Sequence, residues 1–377
     1  MLISYVCTKH PIHDGRIQYK ISPSLTRVGH EVINIHPNTN NILVNDNIKI
    51  VGYIQKKGFF GRVLSFFKLY KTIKKIKPNL LIAPEPDSLL LAFIYKKFHK
   101  KTKVIFDCHE AYEIYFNSKI GVRFIEKLLN RLVLFEMNFI VKRIETVISV
   151  NQTMTKRFEK YNSSSYFIPS IADFKLKEVH NNDRNGIVYF GQFGNDFQKQ
   201  LLLDTAVILK TKKSESLIRI IGGFKDTSSP EKKDFIELIK NNNLEKNIQL
   251  IDWLPKEQAF NILSNSIAGI MRFDSWQLVG NNALPNKIFE YMASGMAVIC
   301  CDLNSEQRDI ILQENCGISI KEENSFFLSN AILQMEKNKE DTLKMGRNSL
   351  LACKNKYNWD NYGKILSALI DTMEGRE

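Results

Sequence analysis

The chain has 377 residues, of which 44% are hydrophobic and 25% charged, and a formal net charge of +13. The composition is that of a globular protein, and the length exceeds the size at which one hydrophobic core usually keeps growing, so we expect two domains. No apolar run approaches the roughly 18 residues of a membrane span, and the start of the chain turns polar too early for a signal peptide, so we expect a cytoplasmic protein.

The six cysteines argue against two further classes of protein. They include no C-x-x-C pair, and at least three lie in apolar, strand-like segments where buried free thiols are common. Neither a disulfide framework nor a zinc site is expected.

The first half of the chain alternates strand-like runs with helical periodicity. The runs are LISYVC, EVINIH, NIKIVGYI, NLLIAP, KVIFDC and TVISV. Helical segments such as 16–28 and 121–142 separate them, and this alternation predicts a parallel sheet wound with helices.

The segment 56–77 is strongly basic. It has eight lysines and arginines and no acidic residue, and aromatic residues recur along it at helical spacing. Three interpretations stay open: contact with an anionic membrane or lipid-linked substrate, an ordinary domain helix with a solvated outer face, or binding of nucleic-acid phosphates. No helix-turn-helix, zinc-finger or RNA-recognition signature accompanies it, so nucleic acid is not expected as a partner.

After a polar stretch the alternation restarts, with the runs IVYFG, LIRIIGGF, NIQLID, IAGIMRF, AVICC and GISI. The predicted organisation is a first Rossmann-like domain at 1–170, a linker at 171–186, a second Rossmann-like domain at 187–355 and a C-terminal helix at 356–377. On that helix the residues expected to pack are Trp359, Tyr362, Ile365 and Leu366. Ligands of such sheets bind beyond the carboxyl ends of the strands, and with two domains we expect the site in the cleft between them.

The run NALPNKIFEYMASGMAVICC at 282–301 carries a narrow polar stripe on an otherwise apolar helix. At about 100° per residue the stripe spans an arc about 100° wide, and its members are Asn286, Lys287, Glu290 and Ser294. Either Lys287 and Glu290 form a surface pair, or the stripe lines a cleft and binds a polar ligand. We favour the second interpretation.

Polar residues also follow strands in the first half. FDCHEAYE places Asp107, His109 and Glu110 at a strand end, where His109 is either a satisfied structural residue or a contact to a sugar hydroxyl. The HDGRI loop, with His13, Asp14, Gly15 and Arg16, is a sensible place for an anionic acceptor group. The acidic pair of PEPD, at 84–87, has the spacing of a metal site, but that spacing is short and common, so a metal is not expected.

With these motifs, the chain resembles the GT-B glycosyltransferases of family 4, especially the bacterial enzymes that build capsule, exopolysaccharide and O-antigen. LPNKIFEYMASGMAVI resembles the family's lPnKlfEYmaaGlPVi segment, FDCHEAYE its D-x-H-E loop, DGRI its D-x-R-[IV] and VGHEV its r-G-H-e-V. RDIILQENCGISI and YNWD are also typical of the family's C-terminal domain. The resemblance covers most of the chain and is strongest in the second half.

The resemblance implies a GT-B fold, in which two Rossmann-like domains face a central cleft and the C-terminal helix crosses back to the first domain. It implies transfer of a sugar, with retention at the anomeric carbon, from a nucleotide-sugar donor on the second domain to a glycan or lipid-linked acceptor on the first. No metal and no cofactor is implied. The enzyme would be cytoplasmic or peripheral on the inner face of the cytoplasmic membrane, with 56–77 as the contact.

Site residues carry over through the same motifs. The resemblance implies that Glu290 binds the donor ribose, that His109 contacts the donor sugar and that Lys199 neutralises the diphosphate. The other implied donor-binding residues are Gly191, Gln192, Gly194, Gly222, Arg272, Asn282, Leu284, Pro285, Asn286 and Lys287. The implied acceptor-binding residues are His13, Asp14, Gly15, Arg16, Asp107, His109 and Glu110.

The chain departs from the family pattern at two places. Where the family often has G-R-x-x-x-x-K-G, this chain has GQFGNDFQKQ, so Gln192 replaces the arginine and Lys199 is displaced by two positions. Asn282 stands where the first glutamate of the family signature falls. The candidates for holding the diphosphate are then Lys199, Lys287 and Arg272, in that order. The alternatives are a GT-B epimerase or phosphorylase, or a noncatalytic nucleotide-sugar binding protein.

Overall fold

The computed structural model describes residues 1–45, 47–56, 59–110, 112, 122–171, 184–193, 196–271, 284–303 and 305–375. The chain divides into a first unit, made of Met1–Ser170 and Trp359–Glu377, and a second unit, Ile171–Asn358. Most of the predicted linker, residues 172–183, lies outside the described residues. Among the helices described, none combines the length and the apolar character needed to cross a membrane.

The first unit is built on a mostly parallel sheet. Its strands are β1 (Leu2–Val6), β2 (Glu31–Pro37), β3 (Ile42–Asn45), β4 (Ile48–Tyr53), β5 (Leu80–Ala83), β6 (Lys103–Cys108), β7 (Thr146–Ser149) and β8 (Ser165–Phe167). Their spatial order is β3-β4-β2-β1-β5-β6-β7-β8, and β3 pairs antiparallel with β4. The order reverses between β1 and β5, and ligands of open α/β sheets bind beyond the carboxyl ends at such a switch point.

Helices cover the faces of this sheet. They are a π-helical turn (Ile17–Ile21), α1 (Ser22–Arg27), α2 (Phe59–Ile76), α3 (Pro86–Phe98), α4 (Arg123–Val141), α5 (Gln152–Glu159) and, from the end of the chain, α13 (Trp359–Glu374). One face of the core draws on α2, α3 and α4 together, through residues such as Ile73, Leu91 and Met137. The sequence did not predict β3 or β8, because each is short and β3 is exposed at all four positions, so neither carries a buried apolar run.

The C-terminal helix packs on the first unit. Trp359 Nε1 donates a hydrogen bond to Ser24 Oγ at 2.8 Å, and Trp359, Tyr362 and Leu366 are buried, whereas Ile365 is 44% exposed. The expectation that Ile365 packs was wrong, because it lies about 100° around the helix from Leu366, beyond the buried stripe.

The second unit has a parallel sheet of its own. Its strands are β9 (Ile187–Phe190), β10 (Ile218–Ile221), β11 (Ile248–Ile251), β12 (Ala268–Ile270), β13 (Ala297–Cys301) and β14 (Gly317–Ile320), in the order β11-β10-β9-β12-β13-β14. Its helices are α6 (Asp196–Thr211), α7 (Pro230–Asn241), α8 (Lys256–Ser264), α9 (Lys287–Ala293), α10 (Ser305–Gln313), α11 (Ser325–Lys337) and α12 (Lys339–Asn355). The switch point lies between β9 and β12. Two Rossmann-like units confirm the predicted fold class.

Tyr291 fixes α9 against the switch point of the second sheet. Its hydroxyl accepts a hydrogen bond from the backbone N–H of Phe190 at 2.8 Å and donates to the carbonyl of Ile270 at 3.0 Å. Gly269 makes this approach possible, because a Cβ there would lie 2.5 Å from the Tyr291 ring. The helix is therefore tied to the ends of both strands that flank the switch point.

Replacing Tyr291 by phenylalanine should loosen β9. The buried N–H of Phe190 would lose its side-chain acceptor, which costs about 1–3 kcal/mol, so the slowest amides of β9 should exchange about five- to 150-fold faster. Hydrogen exchange followed by mass spectrometry measures this, with the amides of β6 in the first unit as an internal reference. The control is Tyr166→Phe, a similar change at an exposed tyrosine, and unchanged β9 exchange in Tyr291→Phe would contradict the assignment.

Candidate functional site

Four residues meet beyond the switch point of the second sheet. Gly191 follows β9 with a φ of 144°, and a Cβ on it would lie 3.7 Å from Lys287 Cε. Lys287 Nζ lies 3.6 Å from the centroid of the Phe190 ring and 2.6 Å from Glu290 Oε2. We refer to Phe190, Gly191, Lys287 and Glu290 as the second-unit cluster.

The cluster tests the first interpretation of the polar stripe, whereas binding of a polar ligand stays a prediction. Lys287 and Glu290 do form an i,i+3 pair, but their side chains are only 30% and 16% exposed. Ile288, Phe289 and the other apolar residues of α9 are buried, as expected. Ser294 is buried too, with its Oγ donating to the carbonyl of Glu290 at 2.8 Å. The accessible part of the stripe is therefore one turn shorter than predicted.

Lys199 occupies a different position from Lys287. It lies on α6, its Nζ is 2.6 Å from Asp196 Oδ1, and it is 6.0 Å from the centroid of the Phe224 ring near the end of β10. Of these two lysines, Lys287 is the one that the fold brings against Gly191. The third candidate for holding the diphosphate, Arg272, lies outside the described residues, as do Gly194 and Asn282.

The remaining predicted donor-site residues surround the strand ends. Gly222 follows β10 with a φ of 71°, and a Cβ there would lie 2.6 Å from the ring of Trp253, so no side chain fits. Gln192 is exposed, and its carbonyl accepts a hydrogen bond from the hydroxyl of Tyr189 at 3.1 Å. The residues directly before α9 are partly or fully exposed; they are Leu284, Pro285 and Asn286.

In the first unit, Asp107 is completely buried at the carboxyl end of β6. Arg16 donates to it through Nη2 at 2.8 Å and Nε at 3.1 Å, and the hydroxyl of Tyr5 also donates to it. Burial alone would raise the pKa of Asp107, but the charges of Arg16 and His109 outweigh it and hold the pKa well below its ordinary value. Arg16 also donates to the carbonyl of Ile168 at 2.8 Å, so the pair joins three separate stretches of chain.

Two histidines, His109 and His10, extend the hydrogen bonding from Asp107 toward the end of β5. His109 Nε2 lies 2.8 Å from Asp107 Oδ2, and His109 Nδ1 lies 2.9 Å from His10 Nε2. His10 Nδ1 in turn lies 2.7 Å from Glu85 Oε1. Both ring nitrogens of His109 are therefore engaged by protein groups, and a sugar hydroxyl could reach one of them only by exchanging for a present partner. Its contact with the donor sugar stays a prediction.

Glu85, at the start of α3, is the last of these hydrogen-bonded side chains. Its carboxylate accepts hydrogen bonds from the backbone N–H groups of Thr8, Lys9 and His10, at 2.9–3.1 Å, and from Ser88 Oγ at 3.1 Å. Burial opposes the charge of Glu85, but the bonds from His10 and the loop lower its pKa. The first carboxylate of PEPD is thus occupied in holding the loop after β1.

The other residues predicted to bind the acceptor fall into two groups. Asp14 caps the turn that follows it, because its Oδ1 accepts from the N–H groups of Arg16 and Ile17 at 2.9 Å each. His13, Gly15 and Glu110 are exposed. Arg16 and Asp107 are buried and satisfy each other, so in this arrangement they act on a ligand only through the residues that they position.

Sequence reasoning missed His10 and the structural use of Glu85. A signal was present, since His10 follows β1 and Glu85 follows β5, the two strands that flank the switch point. His10 belongs to no motif that stands out in the sequence, and Glu85 was considered only as part of the PEPD acidic pair; their pairing required the strand order.

Comparison with known proteins identifies the family. Residues 15–170 match Glycosyltransferase Family 4, and residues 170–350 match Glycosyl transferases group 1. The chain belongs to the GT-B glycosyltransferases. Among curated protein sequences, none matches this glycosyltransferase.

Solved structures share the fold of the glycosyltransferase at low sequence identity. Sucrose-phosphate synthase from Thermosynechococcus elongatus has a TM-score of 0.72 at 13% identity, with all of both chains covered. Anabaena HepE in complex with UDP has a TM-score of 0.72 at 12% identity, covering 99% of this chain and 100% of that one. WaaG, a glycosyltransferase involved in lipopolysaccharide biosynthesis, has a TM-score of 0.66 at 11% identity, with the same coverage.

Replacing Asp107 by asparagine should strongly destabilise the first unit at pH 7. Arg16 would be left as a buried, uncompensated charge, which costs about 3–5 kcal/mol. Because the folded-state pKa of Asp107 is depressed, its contribution is present above its unfolded pKa of about 3.9 and is lost as the pH falls toward the folded-state value. Urea unfolding should therefore show a deficit that is constant above about pH 5 and shrinks in more acidic solution.

The matched control is Glu31→Gln, which removes one partner of an exposed pair with Lys49 at 2.8 Å. An exposed pair contributes under about 1 kcal/mol. An Asp107→Asn protein as stable as this control at pH 7 would show that the buried pair is not what holds the edge of the first sheet.

Proposed function

We propose that this glycosyltransferase moves a sugar from a nucleotide-sugar donor, bound by the second unit, to a hydroxyl of a glycan or lipid-linked acceptor, bound by the first. The transfer retains the configuration of the anomeric carbon and uses no metal. It serves the synthesis of a bacterial surface polysaccharide such as capsule or lipopolysaccharide.

The observation that carries the proposal is the second-unit cluster. Lys287 stands against Gly191, where the missing side chain leaves room for a diphosphate to approach the backbone at the end of β9. Glu290 lies one turn further along α9, held by Lys287 at 2.6 Å. A cation next to an open glycine, followed by a carboxylate, suits a diphosphate joined to a ribose, whose hydroxyls donate to Glu290.

This geometry changes the preferred order of the diphosphate-binding lysines. Gln192 supplies no charge, and Lys199 is paired with Asp196 on α6. Lys287 already lies beside Gly191, so we assign it the first role and Lys199 the second. Binding of the diphosphate would compete with Glu290 for Lys287 and free the carboxylate for the ribose.

The chemical step follows from this binding. The acceptor hydroxyl oxygen forms a bond to the anomeric carbon on the face from which the nucleotide leaves, while the bond from that carbon to the phosphate oxygen breaks. The departing phosphate oxygen takes the proton of the acceptor. Lys287 and Lys199 stabilise the negative charge that develops on the nucleoside diphosphate, so no side-chain nucleophile is required.

The comparisons support the donor class. The HepE structure contains UDP and was also obtained with UDP-glucose, and WaaG is described as involved in lipopolysaccharide biosynthesis. We therefore propose a UDP-sugar as the first donor to test. An epimerase or phosphorylase would consume a donor or glycan without joining the two, and a noncatalytic binding protein would bind the nucleotide and transfer nothing.

Replacing Glu290 by alanine should weaken donor binding. Loss of a charged hydrogen-bond partner costs about 1.5–3 kcal/mol, which corresponds to a Kd about ten- to 150-fold higher. Isothermal titration of UDP, GDP, dTDP and CMP, each with and without EDTA, measures the affinity and identifies the base. We expect tight binding of one nucleotide that EDTA does not change.

The control is Glu314→Ala, which removes the partner of Lys356, at 2.8 Å, in a second lysine–glutamate pair of the same unit. Its nucleotide affinity should equal that of the wild type. Equal affinity in Glu290→Ala and Glu314→Ala would remove Glu290 from the site, and tight binding without sugar transfer from any matching nucleotide-sugar would favour the binding-protein alternative.

We further propose that the first unit docks on an anionic membrane. The sequence suggested 56–77 for this contact, and α2 presents lysines to solvent, with Val63, Leu64 and Phe67 exposed beside them. Leu69 and Ile73 of the same helix are buried in the core. The outer face of α2 is thus basic and partly apolar.

A second helix supports the membrane proposal more strongly. Along α4, the exposed apolar residues fall within an arc about 100° wide; they are Phe124, Ile125, Leu128, Leu132, Phe135 and Phe139. Phe124 is 76% and Phe135 74% exposed, while the polar residues Glu126 and Asn130 are buried. Single exposed apolar residues are ordinary, but a continuous row of them marks an interaction surface.

Charge next to that row favours a lipid surface over a protein partner. Arg123, Lys127 and Arg131 are exposed and occupy the adjoining arc of α4, about 80° wide. An apolar stripe bordered by basic residues suits a helix lying in the interface of an anionic bilayer. We therefore take α4 as the inserting helix and α2 as its electrostatic support.

The double change Phe124→Ser and Phe135→Ser should reduce binding to vesicles that contain phosphatidylglycerol by tenfold or more, because burying each phenylalanine contributes about 1.5–3 kcal/mol at full insertion.

Neutralising Lys71, Lys74 and Lys75, with Lys77, should weaken the same binding by up to about 1 kcal/mol per charge and leave nucleotide affinity intact. Vesicle sedimentation measures both effects.

The control for the phenylalanines is Phe326→Ser, an exposed phenylalanine of the second unit. Phosphatidylcholine vesicles serve as the uncharged reference. Equal sedimentation of the wild type and the double variant on anionic vesicles would refute insertion of α4, and self-association of the wild type that the double variant lacks would point to a protein partner instead.

A further inference from the structure

Four side chains of the first unit form one hydrogen-bonded series across its switch point. The series runs from Glu85 to His10 at 2.7 Å, from His10 to His109 at 2.9 Å and from His109 to Asp107 at 2.8 Å. The imidazole rings stand nearly perpendicular, at 88°, with their centroids 4.7 Å apart. We call Glu85, His10, His109 and Asp107 the histidine series.

The number of protons in the series follows from its geometry. Glu85 and Asp107 are ionised carboxylates that accept hydrogen bonds, so His10 Nδ1 and His109 Nε2 must both carry a proton. The remaining contact, His10 Nε2 to His109 Nδ1, is a hydrogen bond only if one proton lies between the two nitrogens. With none, two lone pairs would face each other at 2.9 Å, and with two, two N–H groups would collide. The two rings therefore hold three protons on four nitrogens.

The charges of the surrounding residues agree with that count. Three protons on two imidazoles give the pair one positive charge. Arg16 contributes a second positive charge, and Glu85 and Asp107 contribute two negative charges, so the buried group is neutral as a whole. Removal of the shared proton would leave a net negative charge among side chains that are largely shielded from water, which is costly.

We infer that His10 and His109 share one proton, and that His10 is a positioning residue that holds His109 at the carboxyl edge of the first sheet for the transfer reaction. The functional part of this inference rests on the proposed function, whereas the shared proton does not. His109 would meet substrate only as its bond with His10 is exchanged, so the protonation of the pair sets how His109 is presented.

The groups facing His10 from the neighbouring elements favour the protonated pair. Burial alone would lower the pKa of His10, but the hydrogen bond and charge of Glu85 outweigh it and raise the pKa above its ordinary value, with Asp14 and Asp107 acting in the same direction. From β2, His36 Nδ1 donates a hydrogen bond to the carbonyl of His10 at 3.1 Å, and burial lowers the pKa of His36. A neutral His36 places no opposing charge beside the pair.

A raised pKa in the folded state fixes the sign of the pH effect. Stability from the shared proton is fully present below the ordinary histidine pKa of about 6.5 and is lost as the pH rises through the folded-state value. Above that value the loops after β1 and β6 lose the bond between them, and His109 keeps only Asp107.

Histidine-labelled protein and long-range proton–nitrogen NMR spectra test the inference without any substrate. In the wild type, two coupled rings should show three protonated nitrogens at pH 7 and lose one proton, together, at a pH clearly above 6.5. In His10→Gln, the resonances of His109 should change, because its Nδ1 loses the imidazole partner at 2.9 Å, and the shared titration should disappear. The control is His99→Gln, which changes a histidine at the C-terminal end of α3, outside the series. This variant should keep the shared titration.

Two outcomes overturn the inference. One is a wild type in which His10 and His109 are both neutral at pH 6.5, and the other is a His10→Gln protein that keeps the titration. The spectra of the wild type decide the first even if the variant does not fold.

For the positioning role, His10→Gln should lower kcat of sugar transfer about tenfold or more with little change in KM for the donor, and its pH–rate profile should lose the fall on the alkaline side.

An unchanged kcat and pH profile would overturn the positioning role. The two proposals fail separately, because absence of sugar transfer in a protein with the shared titration rejects the proposed function, whereas transfer in a protein without that titration rejects the shared proton.

Discussion

The arrangement of side chains at the carboxyl ends of the first sheet's strands depends on the ion pair between Arg16 and Asp107. Both side chains are buried, and a carboxylate without solvent is tolerated only when its charge is compensated and its oxygens accept hydrogen bonds. Arg16 supplies two of those bonds and Tyr5 a third. Asp107 is thereby held where it can orient His109, so the arrangement of both histidines follows from a pair that neither of them belongs to.

In the second unit, the side chains at the strand ends are positioned by neutral hydrogen-bonding groups instead of a buried ion pair. Tyr291 connects α9 to the backbone of β9 and β12, at positions where Gly269 leaves room for its ring. This attachment sets the height of Lys287 and Glu290 above the strand ends. A buried hydroxyl with two satisfied bonds positions a charged pair that stays partly exposed and available to a ligand.

The exposed surface of α4 in the first unit is not explained by the ion pair at the strand ends. On α4, the residues that face inward near its start are polar, and a row of apolar residues bordered by exposed basic ones faces outward, unlike the pattern of an ordinary surface helix. Such a helix gains nothing from water and can gain from a lipid interface. Docking through α4 would bring a membrane-borne acceptor to the unit that carries the predicted acceptor loops.

Much of the fold was accessible from the sequence because its signals are local. Buried parallel strands read as apolar runs, and the run from Leu284 to Ile299 predicted a helix, a stop and a strand that the structure contains. The strands β3 and β8 were missed because each is only three or four residues long and neither forms a buried apolar run. Ile365 was misjudged because a helical face has a width that periodicity does not define.

The sequence by itself determined the two Rossmann-like units and the polar residues at their strand ends, since these depend on the period of apolar residues along the chain. Only the tertiary structure decided the partners of those residues. His10 meets His109, and Lys287 meets Gly191, because strand order brings together loops that are far apart in the chain. Pairing of this kind depends on which strands are neighbours, and that order is a property of the whole packed sheet.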